Sequence, residues 1–156
     1  MKQRKEPTFR VASPADLETL VGLMREYYAY DRLKFDSRTA EKAMKHLLRD
    51  ESLGRVWLIE ESTHLLGYFV VTFVFSLEFH GEVAVLDELH INAAHRGRGI
   101  GKSVLAFVHE FCAMQGIKAI RLEVEHANIQ AQGLYKKSGF KEHTRYLMTK
   151  WIDDSR

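Results

Sequence analysis

Val85-Leu86-Asp87-Glu88-Leu89-His90-Ile91 runs into Asn92-Ala93-Ala94-His95 and then into Arg96-Gly97-Arg98-Gly99-Ile100-Gly101-Lys102. The stretch reads as a strand, a short connection, a glycine-rich turn and the start of a helix. The helix shows in Val104, Leu105, Val108, Phe111 and Cys112, which recur as one apolar stripe. Glycine at 97, 99 and 101 leaves backbone N–H groups uncovered just before that helix, where the positive end of its dipole lies. Arg96, Arg98 and Lys102 add positive charge. These are the properties of a phosphate or pyrophosphate cradle.

Three phosphate-binding patterns compete for this loop. The dinucleotide fingerprint G-x-G-x-x-G fits Gly97 and Gly99 but finds Lys102 in place of its third glycine. The P-loop G-x-x-x-x-G-K-[ST] fits Gly101-Lys102-Ser103 but puts its first glycine on Arg96. The third, [QR]-x-x-G-x-[GA], is satisfied throughout by Arg96-Gly97-Arg98-Gly99-Ile100-Gly101. It is the acyl-CoA pyrophosphate loop of the GNAT superfamily of N-acetyltransferases, which this chain resembles. A second signature of that superfamily, N-x-x-A-x-x-[LF]-Y-x-x-x-G-F, is matched downstream by Asn128, Ala131, Leu134, Tyr135, Gly139 and Phe140.

Composition bounds the alternatives. The 156 residues are 46% hydrophobic and 28% charged, as expected of one globular domain spanning 1–156. A net charge of +2 gives no bulk attraction for nucleic acid or an anionic membrane. No run of about 20 apolar residues suggests a membrane span, and no signal-peptide pattern suggests export. The single cysteine, Cys112, excludes an internal disulfide and fits a reducing, cytoplasmic setting. The Met1–Lys5 cluster reads as a frayed, solvated tail.

Taken in order, Phe9 and Val11 mark a first strand, and Ser13-Pro14-Ala15-Asp16 opens a helix carrying Leu17, Leu20, Val21 and Met24 inward. Tyr27, Tyr28, Tyr30 and Asp31 close it. A second helix is expected over 37–50, with Ala43, Met44, Leu47 and Leu48 inward. Val56–Ile59, Gly67–Phe75 and Val83–Ile91 read as an antiparallel meander, the middle strand buried on both faces. After the glycine loop and its helix, Ile120, Leu122 and Val124 mark a strand parallel to the one ending at Ile91. A helix over Ile129–Ser138 follows, and Lys141–Trp151 reads as one long or two short closing strands. The fold class is α/β with a mixed sheet, and the order β-α-α-β-β-β-α-β-α-β(β) is that of the GNAT fold.

The resemblance implies an acetyl-CoA cosubstrate. Its pyrophosphate would lie on Arg96–Lys102, and its pantetheine arm in a gap between splayed central strands, against the backbone of Leu89, His90 and Ile91 and against Asn128 and Ala131. Asn128 is also a candidate helix N-cap. Tyr135 matches the position whose phenol lies near the CoA sulfur. With an ordinary pKa near 10 it stays protonated at neutral pH and can protonate a leaving thiolate. The segment between the first two helices would flank the acceptor pocket, so some of Tyr27, Tyr28 and Tyr30 are candidates to line it.

Asp87 and Glu88 are the candidate bases. Neighbours on a strand face opposite sides, and a bulge would change which of them faces the cleft. In the polyamine branch of the superfamily a glutamate then an aspartate occupy these positions and the first acid is the base; here the order is reversed, and both remain candidates. His109-Glu110 begins an H-E-x-x-H pattern, but position 113 is Ala, and the other histidines lack ligand spacing, so no metal is expected. Cys112 reads as core, which favours direct attack in a ternary complex over an acetyl-cysteine intermediate.

The leading expectation is an acetyl-CoA-dependent N-acetyltransferase acting on a primary amine, a small molecule before a protein, with no nucleic acid or membrane partner. The alternatives are a GNAT-fold CoA-binding regulatory module without transferase activity and a nucleotide-phosphate enzyme. The apolar, aromatic run from Tyr68 to Phe79 suggests a homodimer.

Overall fold

The computed structural model describes residues 6–152, so the Met1–Lys5 tail lies outside the described residues. β1 (Thr8–Val11) leads through a 3-10 turn at Pro14–Asp16 into α1 (Leu17–Tyr30) and α2 (Ser37–Arg49). β2 (Gly54–Glu61), β3 (His64–Ser76) and β4 (Gly81–Ile91) follow. A second 3-10 turn at Ala93–His95 then precedes α3 (Ile100–Met114), β5 (Ala119–Arg121) and α4 (Ile129–Lys137). The strands make one sheet in the order β1-β2-β3-β4-β5, antiparallel except for the parallel β4–β5 pair that α3 connects.

Helix starts follow local chemistry. The Ser13 N–H donates to Asp16 Oδ2 at 2.8 Å, the back-bond of a capping box. The 3-10 turn uses Pro14–Asp16, so α1 proper begins at Leu17. At the start of α2, Asp36 Oδ1 accepts the Thr39 N–H at 2.7 Å.

Helices cover both faces of the sheet. Trp57, Phe69, Val71 and Leu86 pack on Val104, Leu105 and Val108 of α3. Val56, Leu58, Tyr68 and Val70 pack on Leu20 and Met24 of α1 and Met44 of α2. In α2 the buried line runs through Ala40 and Met44, with Leu47 and Leu48 at its side. Ala43, expected inside, is exposed, because the 3.6-residue repeat sets it off the line through 40, 44 and 48. β3 is buried on both faces only from Leu66 to Val71; its far end outruns the helices and leaves Val74 and Phe75 exposed.

Two features bear on the site. Val83–Val85 pair with Ala119–Arg121, and there the β4–β5 ladder stops while β4 continues to Ile91. The central strands therefore part, leaving the β5-facing edge of 86–91 open. The expected closing strands do not form: among the described residues, Lys141–Trp151 contains no strand. β5, three residues long, offers too short an edge to hold a further ladder. Tyr146, Leu147 and Met148 are exposed, and Arg145 is fastened to Glu78 of the β3–β4 turn at 2.8 Å. No described helix is long and apolar enough to cross a membrane.

Candidate active site

β4 carries one extra residue. Val71 pairs with Leu86 and Val70 with Glu88, so the register passes over Asp87. In an unbroken strand Leu86, Glu88 and His90 would share a face. The bulge reverses that parity. Leu86 stays on the α3 side and is joined there by Leu89 and Ile91. Glu88 and His90, opposite Val70 and Tyr68, turn to the α1–α2 side.

There Glu88 is gripped by two phenols. The Tyr28 hydroxyl of α1 donates to Oε1 at 2.7 Å, and the Tyr68 hydroxyl of β3 donates to Oε2 at 2.7 Å. Burial pushes the Glu88 carboxyl up; the two hydrogen bonds pull it part of the way back, and the Asp87 charge adds a small upward push. A carboxylate has about four acceptor directions, so two stay open for an ammonium or a water. Asp87 is solvent-exposed on the rim, and partial enclosure raises its carboxyl too. Both acids line a cavity of about 150 Å³ between the sheet and α1–α2.

Of the three candidate tyrosines, Tyr28 lines this cavity. Tyr27 packs on the His90 ring with centroids 5.9 Å apart, and Tyr30 lies under Arg96, whose Cζ is 3.8 Å from the ring centroid. Sequence reasoning missed Tyr68 as a partner of Glu88. The signal was there: a phenol inside an otherwise apolar strand needs a hydrogen-bond partner once buried, and the acids lie on the next strand. His90 is 4% exposed, and its Nε2 is 3.6 Å from Glu26 Oε2. Burial, the largest influence, lowers the imidazole pKa, so the ring is neutral at pH 7.

The glycine loop is shaped as an open cradle. Gly97 and Gly99 have φ of 73° and 83°, the left-handed region, and a side chain at either position would meet no protein atom within 4 Å. Gly99 caps α3, and the first backbone bond of that helix runs from the Ser103 N–H to the Gly99 carbonyl at 3.2 Å. The N–H groups of Ile100, Gly101 and Lys102 therefore point out of the helix end. Gly101 packs closely on α4: a Cβ there would lie 2.9 Å from Leu134 Cδ2, so that side chain would have to shift. The loop arginines face the protein. Arg96 Nε donates to the Ile91 carbonyl at 2.8 Å, and Arg98 pairs with Glu61 at 2.6 Å. The residues thus fit a pyrophosphate held by backbone N–H groups with the exposed Lys102 beside them.

Tyr135 sits on α4, half-buried, edge-on to Phe140 at 5.9 Å. Burial raises its phenol pKa, with a smaller push from the Asp31 charge, so it keeps its proton at neutral pH. Asn128 caps α4, its Oδ1 accepting the Ala131 N–H at 3.1 Å. Cys112 is buried and its thiol is pushed up to about 11, the state of an inert core cysteine. Among the described residues, no three His, Cys, Asp or Glu side chains are gathered to share a metal ion.

Comparison with known proteins shows the family and the fold. The model of the acetyltransferase (GNAT) family matches residues 17–140. An uncharacterized N-acetyltransferase, YhfO of Bacillus subtilis, is 26% identical over 88% of this chain and 92% of its own. Thialysine N-epsilon-acetyltransferase of Sus scrofa is 26% identical over 86% of this chain and 84% of its own. The crystal structure of integron cassette protein HFX_CASS3, from the mobile metagenome of Cole Harbour Salt Marsh, superposes with a TM-score of 0.83. It is 33% identical, covering 93% of this chain and 90% of that one. The chain belongs to the acetyltransferase (GNAT) family. The matched span contains both the Arg96–Gly101 loop and the Asn128–Phe140 stretch.

Proposed function

We propose that the chain transfers an acetyl group from acetyl-CoA to a primary amine by direct attack in a ternary complex, with Glu88 as the base. The observation that carries this is the bulge at Asp87, which turns Glu88 to the cavity side and into the grip of Tyr28 and Tyr68. The donor pyrophosphate binds the N–H groups at the start of α3. The pantetheine arm lies along the open edge of 86–91, where a backbone N–H polarises the thioester carbonyl. The acceptor ammonium gives a proton to Glu88, directly or through one water, and the neutral amine attacks the carbonyl carbon. The C–N bond forms, the C–S bond breaks, and the departing thiolate takes the Tyr135 hydroxyl proton. The elevated Glu88 carboxyl lies closer to neutral pH than an ordinary one, which improves its match to this task. The inert Cys112 thiol supports transfer without an acyl-enzyme.

Calorimetry with acetyl-CoA, followed by a thiol-release assay with primary amines, tests the reading. Donor binding with acceptor-dependent thiol release supports it. Donor binding with no release from any amine returns the chain to the role of a CoA-binding module. We also propose that two copies associate through the exposed tip formed by Val74, Phe75 and Leu77. A monomer mass by light scattering at micromolar concentration would remove that part.

A further inference from the structure

The acceptor class follows from the walls of the cavity that Asp87 and Glu88 share. We propose that the acceptor is a singly charged primary amine on a short apolar stem, aliphatic or aromatic. This rests on the N-acetyltransferase reading above and narrows it.

The carboxylates occupy the β4 side. The walls opposite are Met24 of α1, Met44 and Leu47 of α2, and Val70 of β3. These are the side chains of the α1–α2 core, carried to the cavity surface. The Tyr28 hydroxyl gives its hydrogen to Glu88 and is not available as a donor to the acceptor. An ammonium group at the carboxylates meets opposite charge. A second ammonium, or a set of hydroxyls, further along the molecule meets thioether and aliphatic carbon and leaves water without a partner. The volume of about 150 Å³ is that at which an apolar protein cavity takes up a benzene-sized molecule, which suits a stem of about six carbons. Two methionines in the wall adapt to straight or ring-shaped stems.

The test uses a series of rising length and a pair of equal length, with acetyl-CoA saturating. From ethylamine to hexylamine, kcat/KM should rise by about fourfold per methylene until the wall is covered. Butylamine should exceed 1,4-diaminobutane by roughly tenfold or more, mostly in KM, and benzylamine should be accepted. Ala43 is exposed and lines the cavity, so Ala43→Asp adds a carboxylate to the wall without opening the core. That variant, with its melting temperature checked, should narrow the gap between butylamine and the diamine. Equal or better use of the diamine by the wild type, with acetylation intact, overturns the proposal and leaves the N-acetyltransferase reading standing. No turnover of any amine by protein that binds acetyl-CoA overturns both.

Discussion

Tyr68 and Glu88 stand on neighbouring strands, twenty residues apart in the chain, and the phenol donates to the carboxylate at 2.7 Å. Tyr68 is fully buried, so this bond meets no competition from water. Both the desolvation and the Glu88 charge drive its own ionisation far above the physiological range, which leaves it a permanent donor. Tyr68→Phe keeps the ring and removes one of the two bonds that hold the carboxylate down. The Glu88 carboxyl should then titrate at higher pH. The acidic limb of kcat/KM moves up with it, while the rate at high pH stays within a few-fold of wild type. An unmoved limb would mean the bond does not set the carboxyl's proton affinity.

The same carboxyl makes a stability prediction with a definite sign. Burial, outweighing the tyrosines, raises its pKa on folding, so the folded chain holds the Glu88 proton more tightly than the unfolded chain does. Its favourable contribution is complete below the unfolded carboxyl value of about 4.3 and is lost as pH rises through the folded value. Glu88→Gln, which keeps an oxygen for one phenol and removes the charge, should raise Tm at pH 7.5. The difference should shrink toward zero at pH 4. A variant less stable than wild type at pH 7.5 would contradict this.

Much of the architecture was legible because it is periodic or motif-borne. The α3 stripe from Val104 to Cys112, the meander and the glycine turn that opens α3 all occur where the residues announce them. Which acid turns to Tyr28 and Tyr68 was not legible, since it depends on one extra residue in a ladder and the partner strand alone defines the register. The alternation of Ile120, Leu122 and Val124 suggested a longer β5 than forms; paired with β4 for three residues only, the strand ends at Arg121. The Lys141–Trp151 stretch has strand-forming residues but no adequate edge to bind. Charge counting placed Arg98 over the loop, whereas Glu61, distant in sequence, draws it away.

The cradle is tested at Gly99. Its φ of 83° strains any residue with a Cβ, and a carboxylate there would oppose the donor's phosphates. Gly99→Asp should weaken acetyl-CoA at least roughly tenfold by calorimetry, in protein whose circular dichroism is unchanged. Unchanged affinity would place the donor elsewhere.

Tyr135 is tested by removing only its hydroxyl. Tyr135→Phe preserves the edge-on contact with Phe140 and should leave acetyl-CoA affinity within a few-fold of wild type. The kcat should fall by roughly 10²-fold, the low end for a general acid. Full kcat, with chemistry rate-limiting, would assign thiolate protonation to water.

The central claim is that the bulge makes Glu88, and not its neighbour Asp87, the base. The most direct measurement is the pH profile of kcat/KM with butylamine for wild type, Glu88→Gln and Asp87→Asn. The acceptor ammonium, with a pKa of about 10.4, must lose a proton in every case. Wild type should therefore show a rising profile that steepens below the pH at which Glu88 titrates. Asp87→Asn should keep that break and most of the rate. Glu88→Gln should lose the break and about 10²-fold or more in kcat/KM at neutral pH. A Glu88→Gln enzyme with wild-type rate and an unchanged break would contradict the account.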